Sequence, residues 1–257
     1  MLYGYYRRVG VYMMQEAFRL LGCEQRQEDV DLVKATLTSL PEWHAARPYV
    51  SSATDLSYDA GIVDTFLHPQ DRAYTVPQLM DFAAQAGLGF WDWADRLAYN
   101  AEAGVPEGHP LHARLPHLSE VDRWAVMEII AQTRGTHRFI LARPERMKTV
   151  PPVDFTTDDY LKWVPRVRHL LEVVHPEDKA TGRLARLKRD WHEFDLTPEE
   201  TLLVKYVNGE HTVADILGLI KTQDRVDLSQ NVARAFFARM YDQGHFLFHH
   251  AGAHYQP

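Results

Sequence analysis

The stretch DTFLHPQDRAY gathers Asp64, His68, Asp71, Arg72 and Tyr74 into one short segment. An imidazole beside carboxylates, a guanidinium and a phenol can take up a proton, hold an anion and orient an acceptor. His68 suits a general base, because an unperturbed imidazole titrates near neutral pH. The same residues also fit a plain turn that carries a solvated histidine. A second group lies in the opening stretch, where Tyr5, Tyr6, Arg7 and Tyr12 follow the apolar Met1 and Leu2. These tyrosines fit the packing of a sheet edge equally well.

Three further features carry less chemistry. His109, His112 and His117 share the loop AGVPEGHPLHARLPH, where zinc would need a fourth ligand and a fixed geometry that a Pro-rich segment does not promise. His249, His250 and His254 form a pattern suited to adventitious metal rather than to a functional centre, so no metal site is expected. Cys23, the single cysteine, cannot form an intramolecular disulfide. It fits a reducing compartment and a small side chain at a helix end better than a reactive thiol.

The elements that must position these groups are legible from periodicity and punctuation. MLYGYYR reads as an apolar strand over residues 1 to 7. Val11, Met14, Ala17, Phe18 and Leu21 recur at helical spacing before Gly22, and Val30, Val33, Leu37 and Leu40 mark a second helix that Pro41 ends. Residues 43–74 carry mixed signals of short helices and loops. Thr75 is placed to cap a helix with Pro77 in its first turn and Leu79, Phe82, Ala83 and Ala86 on one face. The aromatic run LGFWDW reads as a strand, Ser119 caps a helix bearing Trp124, Met127 and Ile130, and HRFILAR is the cleanest strand of the chain. The first part therefore runs strand, helical insert, helix, strand, helix, strand.

ARPERMKTVPPVDF interrupts this order with three prolines and no periodicity, as a linker does. Beyond it, Tyr160, Leu161, Val164, Leu170 and Leu171 suggest a helix. Residues 160–190 hold eight Lys or Arg against four Asp or Glu, which suits a solvated helix face, with an anionic partner as the alternative. TPEE is a capping box at Thr197, Thr212 caps ADILGLI, and Asp227 or Ser229 caps VARAFFARMYDQ. HFLFHH is a closing strand. Three short helices and a strand describe a mainly α, winged-helix-like module.

Composition narrows the function classes. A length of 257 residues suggests two domains, and 46% apolar with 25% charged residues is ordinary for packed cores. A formal charge of −7 argues against nucleic-acid binding, which needs surplus Lys and Arg to displace counterions. With neither a long apolar run nor a secretory leader, the expected setting is cytoplasmic and off the membrane.

TVPQLMDFAAQAGLGFWDW, set between the opening strand and HRFILAR, resembles the C-terminal side of a class I S-adenosylmethionine-dependent methyltransferase. The opening MLYGYYRRVGVYMMQEAFRLLG is similar to the fifth strand and next helix of a bacterial subgroup with a winged-helix-like regulatory tail. LTPEETLLVKYVNGEHTVADIL matches that tail more loosely. The likeness covers residues 1 to about 146 well and is specific in order and spacing rather than in chemistry. It implies an α/β fold: a partial Rossmann-like sheet of strands five to seven with a helical lid in 1–146, a linker at 147–156, and a winged-helix-like regulatory domain in 157–257. In this family the seventh strand returns antiparallel between the fifth and sixth.

The family binds S-adenosyl-L-methionine on a Gly-rich turn after its first strand and an acidic residue ending its second. No G-x-G-x-G follows an apolar strand here, so no cofactor-binding residues are assigned. The resemblance implies the substrate side of the enzyme, with the cofactor half on a missing N-terminal portion or a separate chain. Residues 4–75 then form the lid, and Tyr5, Tyr6, Arg7, Tyr12, Asp64, Arg72 and Tyr74 contact the methyl acceptor beside His68, Tyr6 and His68 lining one pocket. Without a fourth strand, one edge of the opening strand is expected to be bare and prone to self-association. The alternative class is a non-enzymatic binding or regulatory module. Its last helix, with Arg234 and Arg239 but also Asp242 and an apolar Phe236, Phe237 and Met240 face, suits core and protein contact better than a DNA groove.

Overall fold

The computed structural model describes residues 1–132, 135–149, 153–174 and 185–251. In chain order the elements are β1 (Leu2–Gly4), α1 (Val9–Leu20), α2 (Gln27–Ser39), α3 (Arg47–Ser52), α4 (Asp59–Phe66), β2 (Ala73–Tyr74), α5 (Val76–Gln85) and β3 (Gly89–Trp93). They continue with α6 (Ala101–Gly104), α7 (Leu111–Arg114), α8 (Glu120–Ala131), β4 (Thr136–His137), β5 (Phe139–Ala142) and α9 (Pro144–Thr149). The remainder is β6 (Trp163–Val167), β7 (Glu172–Val174), β8 (Arg186–Arg189), β9 (His192–Asp195), α10 (Pro198–Lys205), α11 (Val213–Leu219), α12 (Gln230–Asp242) and β10 (Phe246–His250). The chain divides into two compact units, Met1–Trp93 with Arg114–Leu141, and Ala94–Ala113 with Ala142–Pro257. The excursion Ala94–Ala113 thus sits with the second unit, although it falls within the expected 1–146 domain.

In the first unit, β1 is the middle strand of a three-stranded sheet. It pairs parallel with β2, Tyr3 opposite Ala73, and antiparallel with β4, Leu2 opposite His137. Past Arg138, β5 pairs with β3. The strand at residues 1–7 is shorter than its apolar run suggests, because Tyr6–Arg8 already turns as a 3-10 helix leading into α1. The expected bare edge is not there: β2, a two-residue strand too short to signal itself by alternation, fills it, and the reason for self-pairing along that edge goes with it. The helical insert is α1 to α4. Val11, Met14 and Phe18 of α1 pack with Val30, Val33 and Leu37 of α2 and with Ile62 and Phe66 of α4. Gly10 is where α1 passes the loop before α3, since a Cβ there would collide with the Ala45 carbonyl group.

Punctuation is observed as read. Thr75 and Gln78 form a reciprocal capping box on α5, Thr197 and Glu200 one on α10, and Thr212 and Asp215 one on α11. Ser119 caps α8 and Ser229 caps α12. Each cap satisfies backbone N–H groups that the first helical turn leaves without a partner.

The second unit corrects several expectations. The helix expected over residues 160–171 is a 3-10 turn at Asp158–Lys162 followed by strand β6. Pro165 explains this, as it cannot sit inside a helix but is tolerated on a strand with one paired edge, where it faces Phe248 of β10. The basic run, taken as a solvated helix face, is strand β8 of the antiparallel sheet β7-β8-β9, with Leu187 and Arg189 buried and Lys188 exposed between them. Its residues 182–184 lie outside the described residues, as do 150–152 of the linker, whose earlier part forms α9. With five strands among its described residues, the unit is mixed rather than mainly α. Its core joins Phe236, Phe237 and Met240 of α12 to Leu203, Ile216 and Phe246, so the apolar face of α12 is spent inside the unit.

Beside that core lies a buried polar cluster. His245 is fully buried, and its Nε2 is 2.9 Å from Nδ1 of His192, the rings parallel and 5.1 Å apart. Arg189, also buried, donates to the Gly244 carbonyl at 2.6 Å and to Asp95 at 2.7 Å. Burial, reinforced by Arg189, His192, Arg239 and Arg168, lowers the His245 pKa to about 3, and burial lowers that of His192 as well, against the pull of Glu102. Because the unfolded imidazoles titrate near 6.5, the neutral folded form contributes its full stability above that pH and loses it as pH falls toward 3. Urea unfolding of the second unit at pH 7.5 and at pH 5 is expected to show a loss of about 2 kcal/mol from His245 on acidification. A flat profile across this range would contradict a neutral, buried pair.

Candidate functional site

Segment 64–74 leaves the end of α4, turns at His68 and Gln70, and returns as β2 beside the opening strand. This route places Asp64, His68, Arg72 and Tyr74 with Tyr3 and Thr136 around a cleft of about 440 Å³. The Gln70 N–H donates to His68 Nδ1 at 3.0 Å, so the neutral ring carries its proton on Nε2. To accept a proton through Nδ1, His68 must release that contact. The Arg72 guanidinium stands 4.8 Å from the Tyr74 ring centroid, and Tyr74 packs on Phe82 of α5. Asp71 lines the cleft but is engaged inward, where Gln15 donates to it at 2.8 Å and Arg8 Nη1 lies 3.6 Å away.

The remaining residues of the sequence-derived site lie elsewhere. Tyr6 and Arg7 line a second cleft of about 530 Å³ with Tyr3, Arg8, Tyr49 and the first turn of α1. Tyr6 and His68 therefore do not share the pocket expected of them, since β1 ends at Gly4 and the 3-10 turn carries Tyr6 away. Tyr12 lines a third cleft, which His68 and Asp71 also reach. Its hydroxyl donates to the Gly4 carbonyl at 3.3 Å, and burial raises its phenol above the ordinary range while Arg8 pulls it back in part. Tyr5 stacks on Tyr12 with ring centroids 5.4 Å apart and lines none of these three clefts.

Sequence reasoning missed Arg8, Tyr3 and Tyr49. Arg8 is only 5% exposed, its guanidinium 3.8 Å from the Tyr3 ring centroid, 5.5 Å from that of Tyr12 and 5.7 Å from that of Tyr49. Its one sequence signal is the spacing of four to Tyr12, which stacks side chains on a helix face. Also missed is the anchor beneath β2. Glu128 of α8, buried, accepts the Val76 N–H of α5 at 2.9 Å, and its other oxygen lies 3.3 Å from Nε2 of the buried His137. That same ring nitrogen is 2.7 Å from the Tyr74 carbonyl oxygen.

The histidine clusters serve local structure. His109 Nδ1 accepts the Leu111 N–H, and His112 Nε2 lies 3.2 Å from the Pro106 carbonyl oxygen. His250 packs on Trp163, and His254 lies outside the described residues. Among the described residues no group of three or more His, Cys, Asp or Glu is arranged to hold a metal, and no helix is long and apolar enough to cross a membrane. Burial raises the Cys23 thiol pKa, which disfavours a reactive thiolate.

No protein-family model matches the chain. An uncharacterised protein of Synechococcus sp. is 25% identical over 167 residues, which are 63% of this chain and 39% of that one. Among solved structures, PKMT2 from Rickettsia typhi superposes with a TM-score of 0.55 at 12% identity, over 96% of this chain and 50% of its own. The same protein in complex with AdoHcy gives 0.56 at 11% identity, over 98% and 51%. The chain thus spans about half or less of the length of these proteins, and its fold is methyltransferase-like.

The anchor under β2 sets a first test of the site. Glu128→Ala removes the acceptor of the Val76 N–H and the neighbour of His137, and is expected to destabilise the first unit by about 3 kcal/mol in urea unfolding. Glu128→Gln, which keeps a carbonyl oxygen for Val76, should lose clearly less. Equal stability of Glu128→Ala and the parent would show that the carboxylate anchors nothing.

Proposed function

We propose that this chain is the acceptor side and regulatory portion of an S-adenosylmethionine-dependent methyltransferase. The observation that carries this reading is the superposition of nearly the whole chain on half of PKMT2, a protein also solved with AdoHcy. The strand order supports it. β4 pairs antiparallel with β1 and, just past it, β5 pairs with β3, the neighbour order that the resemblance gives to strands five, seven and six. In this reading the adenosyl cofactor is held by an upstream half of the same polypeptide or by a separate chain, and the second unit, with its three capped helices, is a winged-helix-like regulatory domain.

The 440 Å³ cleft is then the acceptor site. Methyl transfer asks little beyond holding a nucleophile in line with the sulfonium carbon and keeping water away. Tyr3 and Tyr74 supply walls, Arg72 and Asp64 supply charge for orientation, and His68 takes the acceptor's proton once its ring leaves the Gln70 N–H.

Two measurements test this. Calorimetric titration of the isolated chain with S-adenosylmethionine is expected to give no saturable heat, and a micromolar dissociation constant would overturn the assignment of the cofactor to another portion. In an enzyme completed with its cofactor half, His68→Ala is expected to lower kcat by about 10²- to 10⁴-fold, with AdoHcy affinity unchanged. Arg72→Ala should chiefly raise the acceptor KM. Unaltered kinetics in both variants would remove the acceptor site from this cleft.

A further inference from the structure

The second cleft has a chemistry of its own. Helix α1 starts there at Val9 with no side-chain cap and no acidic residue in its first turn. Its positive end is therefore uncompensated from within the helix. Two arginines line the same cleft, Arg7 exposed at the rim and Arg8 buried, while no Asp or Glu does. Arg8 is the decisive group. Its side chain is 6% exposed, yet Nε and Nη1 have no hydrogen-bond partner, the nearest carboxylate oxygen of Asp71 standing 3.6 Å from Nη1. A buried guanidinium lacking hydrogen bonds on two of its nitrogens is costly unless something supplies them.

We propose that this cleft binds a small carboxylate-bearing ligand, its carboxylate taken by Arg7 and Arg8 at the start of α1 and its body laid against Tyr6 and Tyr49. Charge selects a monoanion. Two arginines and one nearby carboxylate leave a single positive charge, too little to match a phosphate dianion. Shape points the same way, since the planar guanidinium fork matches a carboxylate in two parallel hydrogen bonds. A cleft of about 530 Å³ holds a ligand of small-molecule size. This inference stands whether or not the chain belongs to a methyltransferase.

The test uses the full chain in calorimetric titrations at fixed ionic strength, with sodium benzoate and inorganic phosphate as probes. Benzoate is expected to bind saturably with a dissociation constant below about 1 mM. Arg7→Gln, a change at an exposed position, should weaken it about tenfold or more. Arg8→Lys, which keeps the charge but loses the fork, should weaken it at least as much, read alongside a thermal-unfolding control. His68→Ala, on the other cleft, should leave benzoate binding unchanged. Absence of saturable benzoate heat, tighter binding of phosphate than of benzoate, or benzoate affinity that follows His68 rather than Arg7 would each overturn the proposal.

Discussion

A single buried carboxylate sets the geometry of the first unit. Glu128 faces the N-terminus of α5 with one oxygen and His137 with the other, while His137 reaches the carbonyl of Tyr74. Burying such a group is unfavourable unless hydrogen bonds and partial charges replace water, and the first N–H of a helix meets that need well. The consequence is a fixed spacing between α8, α5, β4 and β2. Since β2 has only two residues, its own pairing with β1 could not hold it in register. Tyr74 is held through its carbonyl, 2.7 Å from His137 Nε2, and Arg72 and His68 precede it on the same segment.

The two clefts beside the opening strand share Tyr3 and Thr136. Tyr3 stands over Arg8 at 3.8 Å, so one ring closes one side of both. A side chain that bridges two cavities through a cation–π contact couples them only as far as that contact can shift. Arg8 is held by Tyr3, Tyr12 and Tyr49 together, an enclosure that limits its rotamers to few alternatives. The clefts are thus separate in chemistry, one with an imidazole, two carboxylates and Arg72, the other with two arginines and no acid.

What the sequence makes legible follows the range of the interaction. Caps at Thr75, Ser119, Thr197 and Thr212 are local hydrogen bonds, and each is observed. The 64–74 group is legible because its members are neighbours in the chain and reach one cleft together. Arg8 with Tyr49, and Glu128 with His137, are not, because these pairings are made when separate elements pack together and nothing in YYRR separates a buried arginine from an exposed one. The strand β8 is an intermediate case. RLKR alternates, with Leu187 and Arg189 inward, but a buried arginine hides the period of two that would otherwise identify a strand. Tyr160, Leu161 and Val164 imitate a helical face, and only Pro165 argues the other way.

Arg189 also explains why the excursion Ala94–Ala113 belongs where it does. The excursion is tied into the second unit by polar contacts: Arg189 to Asp95 at 2.7 Å, Gln243 to Glu102 at 2.8 Å, and Arg96 to the Tyr241 hydroxyl at 2.9 Å. Apolar burial alone is nondirectional and would accept this segment in several positions. Buried charge pairs add little net stability but tolerate little displacement, because a shifted partner leaves a charge without hydrogen bonds. The fully buried His245 lies in the same cluster, and its neutral state is set first by burial and then by cationic neighbours, among them the Arg189 that holds Asp95. Protonating it adds a charge among Arg189, Arg168 and Arg239, so acid acts on the contacts that fix the excursion before it acts on the apolar core.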